Sequence, residues 1–221
     1  MITALLFDLF ETLITESGIQ PTRASSLATA LGLETDAYRT AWKARRASVV
    51  RGETTFAEAL AEISRALIGK VDQAAVQRIC RQRTREKATA YAQIHPDVAA
   101  LVTGLSRYGV ALAVISNGFA EDIDGWSACS LAPEFRCAAF SCAERIAKPD
   151  PEIYHRAIRR LGADPATTVY IGDGGDDELA GADHAGLRAY RAAWFVPTSL
   201  QSAAWVELAE PKDVLELVAA G

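Results

Sequence analysis

Three short apolar runs stand out along the chain: ALLFD, ending at Asp8; VALAVISN, from Val110 to Asn117; and TTVYIGD, from Thr167 to Asp173. Each is rich in Val, Ile or Leu and stops at polar residues or glycine. Continuous rather than alternating apolarity predicts strands buried on both faces, as in a parallel sheet. A weaker fourth run is LRAYRAAW, Leu187 to Trp194. Helical periods precede the second and third strands, over Val98 to Arg107 and Pro151 to Leu161. Strands and helices in this alternation predict an open α/β sheet, whose ligands bind beyond the carboxyl ends of the strands.

From Pro21 to about Tyr91 the pattern changes. This region is rich in Ala, Leu, Arg and Glu and carries no convincing strand. TRASSLATALGL, DAYRTAWKARRASVV, TTFAEALAEISRALIG and DQAAVQRICRQRTREKAT read as three to five helices, with Gly32, Gly52 and Gly69 as punctuation. A helical block inserted after the first strand predicts a cap over the strand ends, placed to exclude water. The chain then divides into a core of residues 1–18 and 92–221 and a helical cap of residues 19–91.

Composition narrows the picture without naming a chemistry. The chain has 221 residues, half of them apolar, which suits one large domain or a core with a smaller insert. A net charge of −5 gives no reason to expect nucleic acid or an anionic membrane as partner. No apolar run reaches membrane-spanning length, and no basic leader precedes the first strand, so a cytoplasmic protein is expected. Cys80, Cys129, Cys137 and Cys142 lack metal-ligand spacing and read as free thiols.

Four polar clusters fall at the predicted strand ends or just beyond them. They are DLFET, with Asp8 and Thr12; SNG, Ser116 to Gly118; KPDPEIY, beginning at Lys148; and GDGGDDELAGA, Gly172 to Ala182. Taken singly, a strand-end Asp caps a helix, Ser-Asn-Gly makes a turn and a lone Lys is solvated. Their order and their common place on the sheet argue for a joint role.

In these motifs the chain resembles the haloacid dehalogenase superfamily of hydrolases, in the branch with a helical cap after the first strand. The resemblance covers essentially the whole chain and is most specific from Lys148 through the Gly172-Asp173 pair. It implies a Rossmann-like parallel sheet with helices on both faces, and an enzyme acting on a small, anionic molecule. It also implies roles. Asp8 would be the nucleophile that becomes an aspartyl ester. Ser116 would hold the transferred group, with Thr12 and the Asn117 backbone nearby, and Lys148 would neutralise charge. Asp173 would hold Mg²⁺ together with Asp8, the Phe10 carbonyl and a further acid, Asp177 or Glu178. Carboxylates are the ligands Mg²⁺ prefers, and positive charge on the equatorial oxygens is what phosphoryl transfer needs.

Phe10 departs from the pattern. Phosphatases of this superfamily carry a second aspartate there, as acid and base toward the leaving group, and losing such catalysis costs about 10²–10⁴-fold. Dehalogenases of the family carry an aromatic, because halide departs without a proton. Those enzymes lack Mg²⁺ and the first acid of the fourth motif, whereas Asp173 is present here with Asp176, Asp177 and Glu178 behind it. Several acids near Lys148 call for a cation. A Mg²⁺-dependent phosphatase is therefore the leading reading, with a 2-haloacid dehalogenase-type hydrolase and a binding protein without turnover as alternatives. His95, His155 and His184 are scattered, and Glu11 is expected to face away from Asp8. Trp42, Lys43, Arg45 and Arg46 suit a solvated helix face, or else a contact with an anionic substrate.

Overall fold

Parallel pairing runs through the whole sheet of this computed structural model, which describes residues 1–19, 23–195 and 204–220. The six strands are β1 (Ala4–Phe7), β2 (Ala111–Ser116), β3 (Cys137–Phe140), β4 (Thr168–Gly172), β5 (Arg188–Ala192) and β6 (Glu207–Leu208), in the order β3-β2-β1-β4-β5-β6. β1 lies between β2 and β4, with Phe7 in register with Val114 on one side and Ile171 on the other. The connectivity reverses at β1, the switch point where sheets of this kind open a crevice for ligand.

The apolar runs predict these strands because both faces of each are covered. Leu5 and Phe7 point into one buried cluster with Val98, Leu101 and Leu105 of α5 (Pro96–Arg107) and Val214 of α10 (Lys212–Ala220). Ala4 and Leu6 point into the opposite cluster, with Ile153, Tyr154 and Ala157 of α8 (Pro151–Leu161) and Leu179 of α9 (Glu178–His184). Alternate residues of one strand thus serve two cores, which leaves no polar position inside β1. The weak fourth run is strand β5, and α8 spans the predicted residues. Strands β3 and β6 lie outside the four apolar runs and add to the predicted sheet.

Four helices occupy the region after β1: α1 (Ala24–Leu31), α2 (Thr35–Val50), α3 (Phe56–Ile68) and α4 (Gln73–Ala92). Residues 20–22, where the predicted block begins, and residues 196–203 and 221 of the predicted core lie outside the described residues. The helices share their own core, including Leu27, Tyr38, Leu60, Ile63 and Val76. Gly32 and Gly69 end α1 and α3 in the left-handed conformation that glycine adopts without a Cβ clash. Thr55 and Glu58 form a reciprocal capping box at the start of α3.

The helical block meets the sheet at a tight joint. Two short helices come after β2 and β3, namely α6 (Ala120–Ile123) and α7 (Ser141–Glu144). The buried Ser141 hydroxyl donates to the Val50 carbonyl at the end of α2 (2.7 Å) and accepts from the Gly118 N–H after β2 (3.1 Å). A Cβ at Gly52 would lie 2.1 Å from the Cys142 carbonyl oxygen, so only glycine allows this approach. All four cysteines are unpaired.

Candidate active site

The predicted strand ends do converge. Asp8 leaves β1 still hydrogen-bonded to β4, its N–H donating to the Ile171 carbonyl at 2.8 Å. Beyond it the chain turns sharply: Glu11 takes a left-handed φ of 57°. Its carboxylate accepts from the Thr15 hydroxyl (3.0 Å) and the Glu16 N–H (2.8 Å), which secures that turn. The hydrogen-bonded strand ends at Phe7, but side-chain alternation carries on, with Leu9 joining Leu5 and Phe7 in the same buried cluster. That alternation leaves Asp8 and Phe10 lining one cavity of about 230 Å³, together with Ser116, Asn117, Lys148 and Asp173.

Lys148 is the hub of this cavity. Only 5 % exposed, its ammonium donates to Asp8 and Glu178 and to the Tyr170 hydroxyl at 3.1 Å. Burial works against the charge on Lys148, but the two carboxylates overcome it and hold its pKa above the usual lysine range. Asn117 fixes the Lys148 backbone from both sides. Its side-chain oxygen accepts from the Lys148 N–H (2.8 Å) and its amide donates to the Lys148 carbonyl (2.9 Å).

Glu178 is 1 % exposed and fully engaged: besides Lys148 it accepts from Tyr170 (2.6 Å) and from the Gly174 N–H (3.0 Å). Gly172 makes room for it, since a Cβ there would fall 2.1 Å from a Glu178 oxygen. The hydroxyl of Tyr154 donates to the Glu178 carbonyl (2.7 Å), tying α8 to the start of α9.

The charges do not balance. Carboxylate oxygens of Asp8, Asp173 and Glu178 lie within 4.8 Å of one another, against the one ammonium of Lys148. Burial, then repulsion from Glu178, pushes the Asp8 carboxyl up to about 8 despite Lys148. Asp173 is pushed up to about 6 by burial and by Glu178. A divalent cation would relieve this repulsion, and an all-oxygen donor set suits Mg²⁺. The residues present fit the ion. Glu178, and not Asp177, belongs to this group. Asp176 and Asp177 both take left-handed φ values, 51° and 55°, and this kink directs Asp177 to neighbouring cavities.

The other predicted residues separate. Thr12 is fully buried, its carbonyl accepting from the Trp194 indole (2.8 Å), and it does not line the Asp8 cavity. Arg46 reaches across from α2 to Asp176 (2.9 Å) and lines the cavity. Lys43 is exposed, and Arg45 pairs with Glu62 at the surface. His95 caps α5, His155 contacts the Ala185 carbonyl and His184 ends α9.

Sequence reading missed a second cavity, of about 380 Å³, that adjoins the first across Phe10, Arg46 and Asn117. The helical block supplies Tyr38, Trp42, Phe56, Arg83 and Lys87 to it, and the core supplies Phe119 and Asp122. A signal existed: Arg83, Lys87 and Tyr91 recur every fourth residue on one face of α4.

Known proteins resemble this chain in sequence and fold. The family model for haloacid dehalogenase-like hydrolases matches residues 2–185. Phosphoserine phosphatase of Thermus thermophilus is 30% identical over 115 residues, 49% of this chain and 46% of that protein. Glyceraldehyde 3-phosphate phosphatase of Methanopyrus kandleri is 32% identical over 101 residues, 44% of this chain and 42% of that one. The matches thus span less than half the length of these relatives. Among solved structures, a 2-haloacid dehalogenase from Pseudomonas syringae pv. tomato superposes with a TM-score of 0.66 at 22% identity, covering 100% of this chain and 99% of that one. CbbY from Rhodobacter sphaeroides, in complex with phosphate, gives 0.65 at 24% identity, over 97% and 96%. No described helix is long and apolar enough to cross a membrane. The chain belongs to the haloacid dehalogenase-like hydrolases.

Proposed function

We propose that this hydrolase is a Mg²⁺-dependent phosphatase of a small phosphorylated metabolite, with Asp8 as nucleophile. The observation that carries the reading is the gathering of Asp8, Asp173 and Glu178 around Lys148, an excess of negative charge that a divalent cation would balance. Asp8, Asp173, Glu178 and the Phe10 carbonyl are the groups that would hold it. When bound, Mg²⁺ supplies positive charge to the phosphoryl oxygens and favours the ionised form of Asp8.

Asp8 then attacks phosphorus, the bond to the leaving oxygen breaks, and water hydrolyses the aspartyl-phosphate to release phosphate and regenerate the carboxylate. The Ser116 hydroxyl and the Asn117 backbone would hold the phosphoryl oxygens, and Lys148 would offset their charge. Residues 19–91 act as the cap over this site in our reading. The unpaired cysteines suit a cytoplasmic, reducing compartment.

Phe10 favours a second reading. It lines the Asp8 cavity where an acid would protonate a leaving oxygen, and phenylalanine carries no proton to give. In a dehalogenase, Asp8 would attack the carbon bearing the halogen, halide would leave unprotonated, and water would cleave the ester. A screen of phosphate esters and 2-haloacids, with and without Mg²⁺, separates the two. Phosphate release that disappears with a chelator and returns with Mg²⁺ is expected. Metal-independent halide release without phosphatase activity would reverse the order.

A further inference from the structure

The larger cavity differs from its neighbour in kind. Phe10, Tyr38, Trp42, Phe56 and Phe119 wall it, and their rings touch: Trp42 meets Phe56 at 5.5 Å and Phe119 at 5.6 Å between centroids. Three cations face this space, and each is already matched. Arg83 donates twice to the buried Asp122 (2.6 and 2.9 Å), Lys87 pairs with Glu16 (2.8 Å) and Arg46 pairs with Asp176 (2.9 Å). Arg83 lies 4.5 Å from the centre of the Phe119 ring and Lys87 lies 3.7 Å from that of Phe10, so rings hold both heads. Three positive charges meet three negative ones, so any further anion would compete with these pairs for the same donors.

One polar group here has no partner. Tyr38 is 1 % exposed, and its hydroxyl makes no hydrogen bond to the described residues. A buried hydroxyl without a partner carries a desolvation cost that a ligand atom can relieve.

We infer that this cavity takes an uncharged aromatic leaving group, and that Tyr38 pairs with a polar substituent on it. The substrate class is then a phosphate monoester of a neutral aromatic alcohol. This rests on the phosphatase reading, which puts the phosphoryl end beside Asp8, across Phe10 and Arg46. The rings along this cavity offer such a group apolar burial. A zwitterionic or doubly anionic group gains less, because its charges would have to displace the existing ion pairs to find partners.

The test holds leaving-group chemistry constant by using alkyl phosphates only. Benzyl, 3-hydroxybenzyl and ethyl phosphate and phosphoserine are compared by kcat/KM with Mg²⁺ present. Benzyl phosphate is expected to exceed ethyl phosphate and phosphoserine by about 10-fold or more. The 3-hydroxybenzyl ester should do better still, and Tyr38→Phe should bring its advantage over benzyl phosphate down to about one. Calorimetry of the Mg²⁺-loaded protein with benzylphosphonate and methylphosphonate gives a readout without turnover. A preference for ethyl phosphate or phosphoserine overturns the inference and leaves the phosphatase reading intact. If no ester turns over but benzylphosphonate binds about 10-fold more tightly than methylphosphonate, the phosphatase reading falls and the neutral aromatic site stands. Equal binding of the two phosphonates removes the aromatic site itself.

Discussion

The two adjoining cavities handle charge in opposite ways. Around Asp8, three carboxylates crowd one ammonium on buried strand ends. Beneath the helical block, every cation is matched and the walls are aromatic. Buried charge without balance costs stability, so it persists where binding something restores the balance. A neutral apolar wall costs little and selects by shape and polarity. In the proposed reading, one cavity serves reaction and the other choice.

That contrast is open to attack at several strengths. The largest effect is expected from Asp8→Asn, which keeps the shape but removes the nucleophile. Turnover of the best phosphate ester should fall by about 10⁴-fold or more, while circular dichroism remains that of the folded protein. Substantial residual activity would take Asp8 out of the nucleophile role.

Stability should report the same imbalance. With its pKa pushed up to about 8, Asp8 binds a proton more tightly folded than unfolded, where an ordinary carboxyl titrates near 3.8. Its contribution is then complete below pH ~4 and is lost as pH rises toward 8. Metal-free protein should therefore melt progressively lower across that window, by about 2–4 °C for each kcal/mol lost. Adding Mg²⁺ at pH 8 should recover the loss, and Asp8→Asn should flatten the slope. A melting temperature that climbs from pH 5 to 8 without metal would contradict the charge argument.

Phe10→Asp sits on the border between the cavities. It restores a carboxyl where the ring lies beneath Lys87 and 6.0 Å from Tyr91, at the cost of that packing. In folded protein, activity on alkyl phosphates should rise by about 10-fold, and by less on aryl phosphates, whose leaving groups need little protonation. Equal or lower activity on the alkyl esters would place acid–base help elsewhere.

Arg46→Ala should give the mildest change. The Arg46–Asp176 pair is half-exposed, and pairs of this kind are worth about 0–1 kcal/mol. KM should rise by no more than about 5-fold with kcat nearly constant. A collapse of kcat instead would move Arg46 from the neutral cavity's side to the reacting one.

Much of this layout was legible in the residues, and the failures have physical causes. β1, β2 and β4 announced themselves because both their faces are buried, so apolar residues run without a break. β3 reads CAAF, half-buried and weak in β-branched residues, and β6 has two residues; neither carries a period to detect. Asp8, Ser116 and Asp173 were traceable because strand ends share one edge of the sheet, and Lys148 because its motif opens helix α8 beside them. The choice between Asp177 and Glu178 was not, since it turns on two consecutive left-handed residues that no periodicity encodes. Strand alternation would put Phe10 on the side of Asp8, and the two do line one cavity, while Leu9 points with Phe7 into the core. Arg83 and Lys87 look like a solvated helix face until Asp122 and Glu16 are seen opposite them.

The Ser141 hydroxyl gives the helical block a fulcrum. It joins Val50, at the end of α2, to Gly118, the residue after Asn117. At 1.5 Å per residue, Arg46 stands about 6 Å and Trp42 about 12 Å from that point along the helix. Any tilt of α2 about the joint is therefore amplified twofold at Trp42 relative to Arg46. A tilt of about 10° would carry the Trp42 wall roughly 2 Å while Arg46 moves roughly 1 Å. The wall of the aromatic cavity at Trp42 has the long arm of this lever, and Arg46, which borders both cavities, has the short one.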